Sequence, residues 1–152
     1  MRPFLFILIA TIATLLSSCD PCRNLDCVSS NYDGQFRIVS ASTGNDLVFG
    51  TNRLYDKSHI KFYSLKGTDT TFLEYQAIKF GGTGYDSILH VRFFPQPDIA
   101  YMRLSNGDID TLNISYKTTK TRCCGTITEI KNFRYNNAFD IPGDKGTQEL
   151  KK

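Results

Sequence analysis

Cys19, Cys22, Cys27, Cys123 and Cys124 are the residues whose type and spacing could do chemistry in this sequence. Thiols ligate metals, exchange electrons or cross-link. A structural zinc site would show C-x2-C pairs, whereas the chain has C-x4-C from Cys22 to Cys27 and then the adjacent Cys123-Cys124. Cys19-Asp20-Pro21-Cys22 has the spacing of a redox pair but neither follows a strand nor opens a helix. His59 and His90 are the two imidazoles, and both fall on segments that read as strands, with no spaced Ser, Cys or carboxylate pattern to make either a general base. Gly81-Gly82-Thr83-Gly84 lacks the Lys and the following helix of a phosphate cradle and reads as a flexible β connection. Asn106, Asp108 and Asp110 offer oxygens to calcium, but the Gly placement and closing Glu of an EF-hand loop are missing, so hairpin-turn chemistry explains them. No catalytic, cofactor-binding or metal-ligating set emerges, and the chain does not read as an enzyme.

The amino-terminal segment points to an address. Met1-Arg2-Pro3 is a short positive region, and Phe4 to Leu16 is an apolar run of 13 residues, the length of a secretory signal and too short for a membrane span. It ends in Leu16-Ser17-Ser18-Cys19, which resembles the lipobox of bacterial lipoproteins. The resemblance implies removal of residues 1–18 as a signal peptide and lipidation of Cys19, so that the membrane is a partner through that lipid. One acyl chain alone holds a protein reversibly, and several hold it almost permanently. Asp20 resembles the inner-membrane retention signal of enteric bacteria, a rule other Gram-negative lineages do not follow. The implied location is the bacterial cell envelope, with the outer membrane favoured and the domain facing either the periplasm or the cell surface.

With Cys19 lipidated, four cysteines remain, an even number in an exported chain, and Cys22, Cys27, Cys123 and Cys124 read as two disulfides. Adjacent residues on a strand point to opposite faces, which favours Cys123 and Cys124 each reaching one of the two amino-terminal cysteines. A small local Cys22 to Cys27 loop is the alternative. If Cys22 is bridged to the domain, only Asp20 and Pro21 separate lipid from fold, a reach of roughly 10 Å. That geometry argues against a long adhesin stalk.

Residues 19–152 number 134, enough for one core. Their formal charge of +2 is too mild to draw nucleic acid. Seventeen Phe and Tyr with many Thr and Ile, no Trp and frequent Gly-Asn-Asp turns make the composition that of a β protein. The expected organisation is a lead-in over 19–34 closed by the turn signal Tyr32-Asp33-Gly34, a β-sandwich over 35–136 and a polar, frayed tail over 137–152. Strands are expected over 36–41, 47–49, 59–65, 72–80, 88–94, 99–104, 109–116 and 126–135, with a hairpin around Asn106-Gly107 and a basic, Thr-rich loop over 118–122.

No stretch sustains a helical apolar period, so the expectation is an all-β, single antiparallel sandwich of seven to nine strands, Ig-like or transthyretin-like. A small lipocalin-like barrel is the alternative. Phe36 to Leu65, with its strand, Thr43-Gly44, Leu47 and next strand, resembles the start of transthyretin-like or carboxypeptidase-regulatory sandwiches. Asp69-Thr70-Thr71, Asp86-Ser87-Ile88 and Asp110-Thr111-Leu112 resemble the acceptors of general O-glycosylation in one group of Gram-negative bacteria, which implies Thr70, Ser87 and Thr111 as modified residues. Asn113-Ile114-Ser115 matches an N-glycosylation pattern that is accidental in a bacterial lipoprotein. The function read from all this is an exported, membrane-anchored, non-catalytic module that binds an envelope protein or glycan or serves envelope assembly. Its alternative is a carrier of a small hydrophobic ligand.

Overall fold

The computed structural model describes residues 22, 25–27, 29–79, 87–143 and 146–152. Residues 1–18, Cys19 with Asp20, and the Gly81 to Gly84 connection lie outside the described residues. The chain forms two compact units, Ser30–Thr118 with Thr128–Lys152, and Met1–Ser29 with Thr119–Ile127. Ten strands are described: β1 (Asp33–Val39), β2 (Lys61–Lys66), β3 (Asp69–Phe72), β4 (Tyr75–Ile78), β5 (Ile88–Arg92), β6 (Ile99–Ser105), β7 (Asp108–Thr121), β8 (Gly125–Tyr135), β9 (Phe139–Pro142) and β10 (Thr147–Lys151). No described residue is helical. The strands make two sheets, β10-β1-β5-β4 and β3-β2-β6-β7-β8-β9. This is an all-β sandwich, and the expected alternative of a closed barrel is not adopted.

Alternation builds the larger unit. On β6, Ala100, Met102 and Leu104 are buried while Ile99, Tyr101 and Arg103 point away, and on β7 Asp110, Leu112 and Ile114 turn inward. Facing them from the other sheet are Phe36 and Ile38 of β1 and Leu89 and Val91 of β5. Phe36, Phe93 and Phe133 meet at the centre, with ring centroids 5.2 to 6.2 Å apart and mostly edge-to-face. Gly34 makes room for them. A Cβ there would stand 2.8 Å from the Phe36 ring and 2.9 Å from the Phe93 ring. Gly34 is therefore a strand residue that lets two rings approach the backbone, not the turn residue expected at the end of a lead-in.

Four other expectations change. The expected strand over 72–80 is two strands in different sheets: β3 pairs with β2, the chain crosses at Leu73 and Glu74, and β4 pairs with β5. Leu73 is buried at the crossing and donates its N–H to the Phe62 carbonyl. The expected short strand over 47–49 is a bend, because the Asp46 carboxylate accepts the N–H groups of Val48 and Phe49 at 2.8 and 2.7 Å, replacing a neighbouring strand. The expected frayed tail over 137–152 instead carries β9 and β10. Asn136 and Asn137, both at positive φ, turn the chain into β9. β10 pairs parallel with β1, burying Leu150 completely, so an edge strand of otherwise polar residues completes the smaller sheet. The basic loop expected over 118–122 is largely the end of β7.

In the smaller unit, Cys22 is bonded to Cys123 and Cys27 to Cys124. Each amino-terminal cysteine thus reaches one member of the adjacent pair, at the turn between β7 and β8. The Thr121 hydroxyl shapes that turn, accepting the Cys124 N–H at 3.0 Å and donating to the Gly125 carbonyl at 3.2 Å.

The two bridges are entropically redundant. Either one alone closes a loop of about 100 residues, worth roughly 4.7 kcal/mol in the chain-entropy picture, whereas the second then closes a ring of only about eight residues, worth roughly 2 kcal/mol. Replacing either pair by Ser is expected to cost about 2 kcal/mol and replacing both about 7 kcal/mol, read from urea unfolding. Additive losses from the two single-pair variants would overturn this account.

Candidate functional site

The outer face of the six-stranded sheet carries the most distinctive surface. Period-two alternation puts Lys61, Tyr63 and Leu65 of β2, Thr70 and Phe72 of β3, Tyr101 and Arg103 of β6, and Ile109 and Thr111 of β7 on this face. Register then aligns them across four strands. Phe72 lies opposite Tyr63, Tyr63 opposite Tyr101, and Tyr101 opposite Thr111. Tyr63 and Tyr101 stack at 5.3 Å with planes 17° apart, and Phe72 tilts toward Tyr63 at 6.3 Å. Phe72 is 63% exposed and Ile109 50% exposed, large apolar side chains left open on this face. The Lys61 ammonium sits 5.5 Å from the Phe72 ring centroid, a cation–π contact.

One row along, Lys61 is paired directly with Arg103. Beside them opens a cleft of about 530 Å³ bordered by His59, Ser58, Ser105 and Asn106, with Leu54, Tyr55 and Leu104 also on its wall. Asp56 contributes the carboxylate of this wall. Its pKa is held down by hydrogen bonds from the Ser58 N–H at 2.9 Å and the Ser58 hydroxyl at 2.8 Å.

Behind the cleft is a polar cluster that ties distant segments together. The Tyr55 hydroxyl donates to Asp108 at 2.6 Å, and the Lys152 ammonium bridges Asp108 at 2.5 Å and Asp110 at 2.9 Å. Asp110, 3% exposed, also accepts from the Tyr135 hydroxyl at 2.8 Å and the Asn136 amide at 2.7 Å. Burial opposes the charge on Asp108, but the bonds from Lys152 and Tyr55 and the ammonium's field outweigh it and hold the carboxyl below its ordinary value. Burial likewise opposes the Lys152 charge, and the bonds to Asp108 and Asp110 outweigh it and raise that amine. Burial first, and then the carboxylate partner, push Tyr55 and Tyr135 well up, so both stay neutral donors. The cluster is satisfied and structural. The oxygens of Asp108 and Asp110, weighed above as calcium ligands, already hold an ammonium.

The other candidates are scattered. His59 borders the cleft, whereas His90 lies on β5 with its Nε2 3.8 Å from Asp33, too far for a hydrogen bond. Thr70 is exposed on the edge strand β3. Thr111 is half-buried in the aromatic row, its N–H donated to the Asn136 side chain at 2.8 Å. Ser87, just before β5, is 1% exposed. Cys22, Cys27, Cys123 and Cys124 are spent in disulfides. Sequence reasoning missed the Tyr63, Tyr101, Phe72, Lys61 and Arg103 group. The alternation that turns Ile60 and Phe62 inward also turns Lys61 and Tyr63 outward, but their meeting with Tyr101 and Arg103 needs the β2–β6 pairing.

Compared with known protein families, characterised proteins and solved structures, the chain matches none.

The cluster makes a pH prediction. A lowered Asp108 pKa stabilises the fold fully above the unfolded carboxylate value of about 3.9 and loses that contribution as pH falls through the lower folded value. A raised Lys152 pKa stabilises fully below the unfolded value of about 10.4 and loses it as pH rises through the folded value. Lys152→Met is expected to cost roughly 2 kcal/mol near neutrality, with acid unfolding beginning at higher pH than in the wild type. Urea midpoints from about pH 3 to about pH 11 check this, and superimposable profiles would refute it.

Proposed function

We propose that this chain is an exported, lipid-anchored, non-catalytic binding module of the bacterial cell envelope, and that the outer face of its six-stranded sheet is the binding surface. The observation that carries the reading is the Phe72, Tyr63, Tyr101 row: large rings held at one register on a rigid sheet, with exposed Leu65 and Ile109 beside them. Tyrosine supplies wide contact area at low conformational cost, and a sheet holds it in place without ordering a loop. Two further observations support the address. Leu16-Ser17-Ser18-Cys19 resembles a lipobox, and two disulfides suit an oxidising compartment. Cys19 stands three residues before bridged Cys22, so the lipid would hold the disulfide-linked end of the chain at the membrane. The carrier alternative has less support, because Phe36, Phe93 and Phe133 fill the space between the sheets where a ligand would sit.

A photo-reactive benzoylphenylalanine in place of Leu65 or Ile109, with one in place of Gln76 on the other sheet as control, tests the reading in cells. The face positions are expected to give a cross-linked adduct, the control none, and Tyr63→Ala with Tyr101→Ala should remove it. In the same cells an alkyne fatty acid should label the wild type and not Cys19→Ser. Absence of any adduct from the face would overturn the binding surface, and an unlabelled wild type would overturn the anchor.

A further inference from the structure

The cleft beside the aromatic row contains an electrostatic arrangement that folding does not explain. Lys61 and Arg103 are direct cross-strand partners on one face, which places their Cβ atoms about 5 Å apart. Like charges in that position destabilise a sheet unless an anion lies between or beside them. Among the described residues neither side chain forms an ion pair. Their cleft's own carboxylate, Asp56, accepts the Ser58 N–H and hydroxyl. Lys61 and Arg103 thus line the cleft without a described ion pair, and the carboxylate that shares its wall, Asp56, is hydrogen-bonded to Ser58.

The rest of the wall defines what kind of anion fits. His59, Ser58, Ser105 and Asn106 present donors and acceptors suited to hydroxyl groups, and the volume of about 530 Å³ is that of a site for a small molecule or one unit of a polymer. The Tyr63 and Tyr101 rings lie one register step away, continuous with the cationic pair along β2 and β6. A group that carries a negative charge, several hydroxyls and an apolar ring face satisfies all three features together. We infer that the cleft and the adjoining tyrosines bind an acidic sugar unit of a polysaccharide, with Lys61 and Arg103 on its carboxylate or phosphate. The inference rests on the binding reading above and gives that surface its ligand class.

Affinity electrophoresis of the full mature protein tests it with three probes: polygalacturonate, neutral dextran and polyglutamate. Polygalacturonate should bind at least about tenfold more tightly than either other polymer, since truncating one member of a charge pair at an interface changes affinity by that order or more. Lys61→Gln with Arg103→Gln should remove the preference for polygalacturonate, and Tyr63→Ala with Tyr101→Ala should weaken binding to it. Unfolding curves verify that both variants fold, and the salt dependence of wild-type binding reports the charge contribution with no substitution at all. Equal binding of dextran, or no loss in the Gln variant, overturns the anionic contact. Equal binding of polyglutamate, unaffected by the tyrosines, overturns the sugar and leaves a plain basic patch. If no polysaccharide binds while the photo-reactive face still captures a protein, the sugar inference fails and the binding reading stands. If neither occurs, both fail.

Discussion

The larger unit depends on the contact between two sheets at Phe36, Phe93 and Phe133. Burying each ring is worth about 2 to 3 kcal/mol, and favourable ring geometry adds about 1 kcal/mol per pair. That contact is available only because Gly34 has no side chain and the rings can close over its backbone. These rings fill the space between the sheets where they meet.

Polar chemistry inside the fold is used to hold segments that apolar packing would leave loose. Asp46 gathers the 47–49 bend and meets buried Arg37, which also reaches Glu149 on β10. Asp110 gathers the end of β8, the turn after it and Lys152. In both places a buried carboxylate is fully engaged, the condition under which a buried charge is tolerable. These knots hold the chain's last residues in the fold, although their sequence is polar.

The outer face of the six-stranded sheet lacks that internal completeness. Its tyrosines stack on one another, Lys61 rests near Phe72, and among the described residues Lys61 and Arg103 form no ion pair. Asp46 and Asp110 are fully engaged inside the fold, whereas Lys61 and Arg103 stand opposed as like charges on this face. The proposed anionic sugar supplies the missing charge and occupies the apolar area at once.

Much of this was legible in order along the chain. Period-two alternation located β2, β5, β6 and β7 and the faces they bury, and the Asn106-Gly107 turn joined β6 to β7; Cys123 and Cys124 bond separate partners as expected, but from a turn and not from the strand on which that expectation rested. These are local properties, set by backbone geometry and by residues a few positions apart. The lipobox resemblance of Leu16 to Cys19 is also wholly a matter of sequence. Gly34, Leu73, Leu150 and the tyrosine row were not legible, because their roles are fixed by partners far away in the chain. Gly34 reads as a turn until Phe93 closes over it, and Leu150 reads as part of a tail until β10 finds β1. Tyr63 and Arg103 belong to no pattern until β2 skips three strands to pair with β6. Local sequence determined which residues face in or out; only the long-range pairing of strands decided which of them meet, because register is selected by the whole core and not by any segment within it.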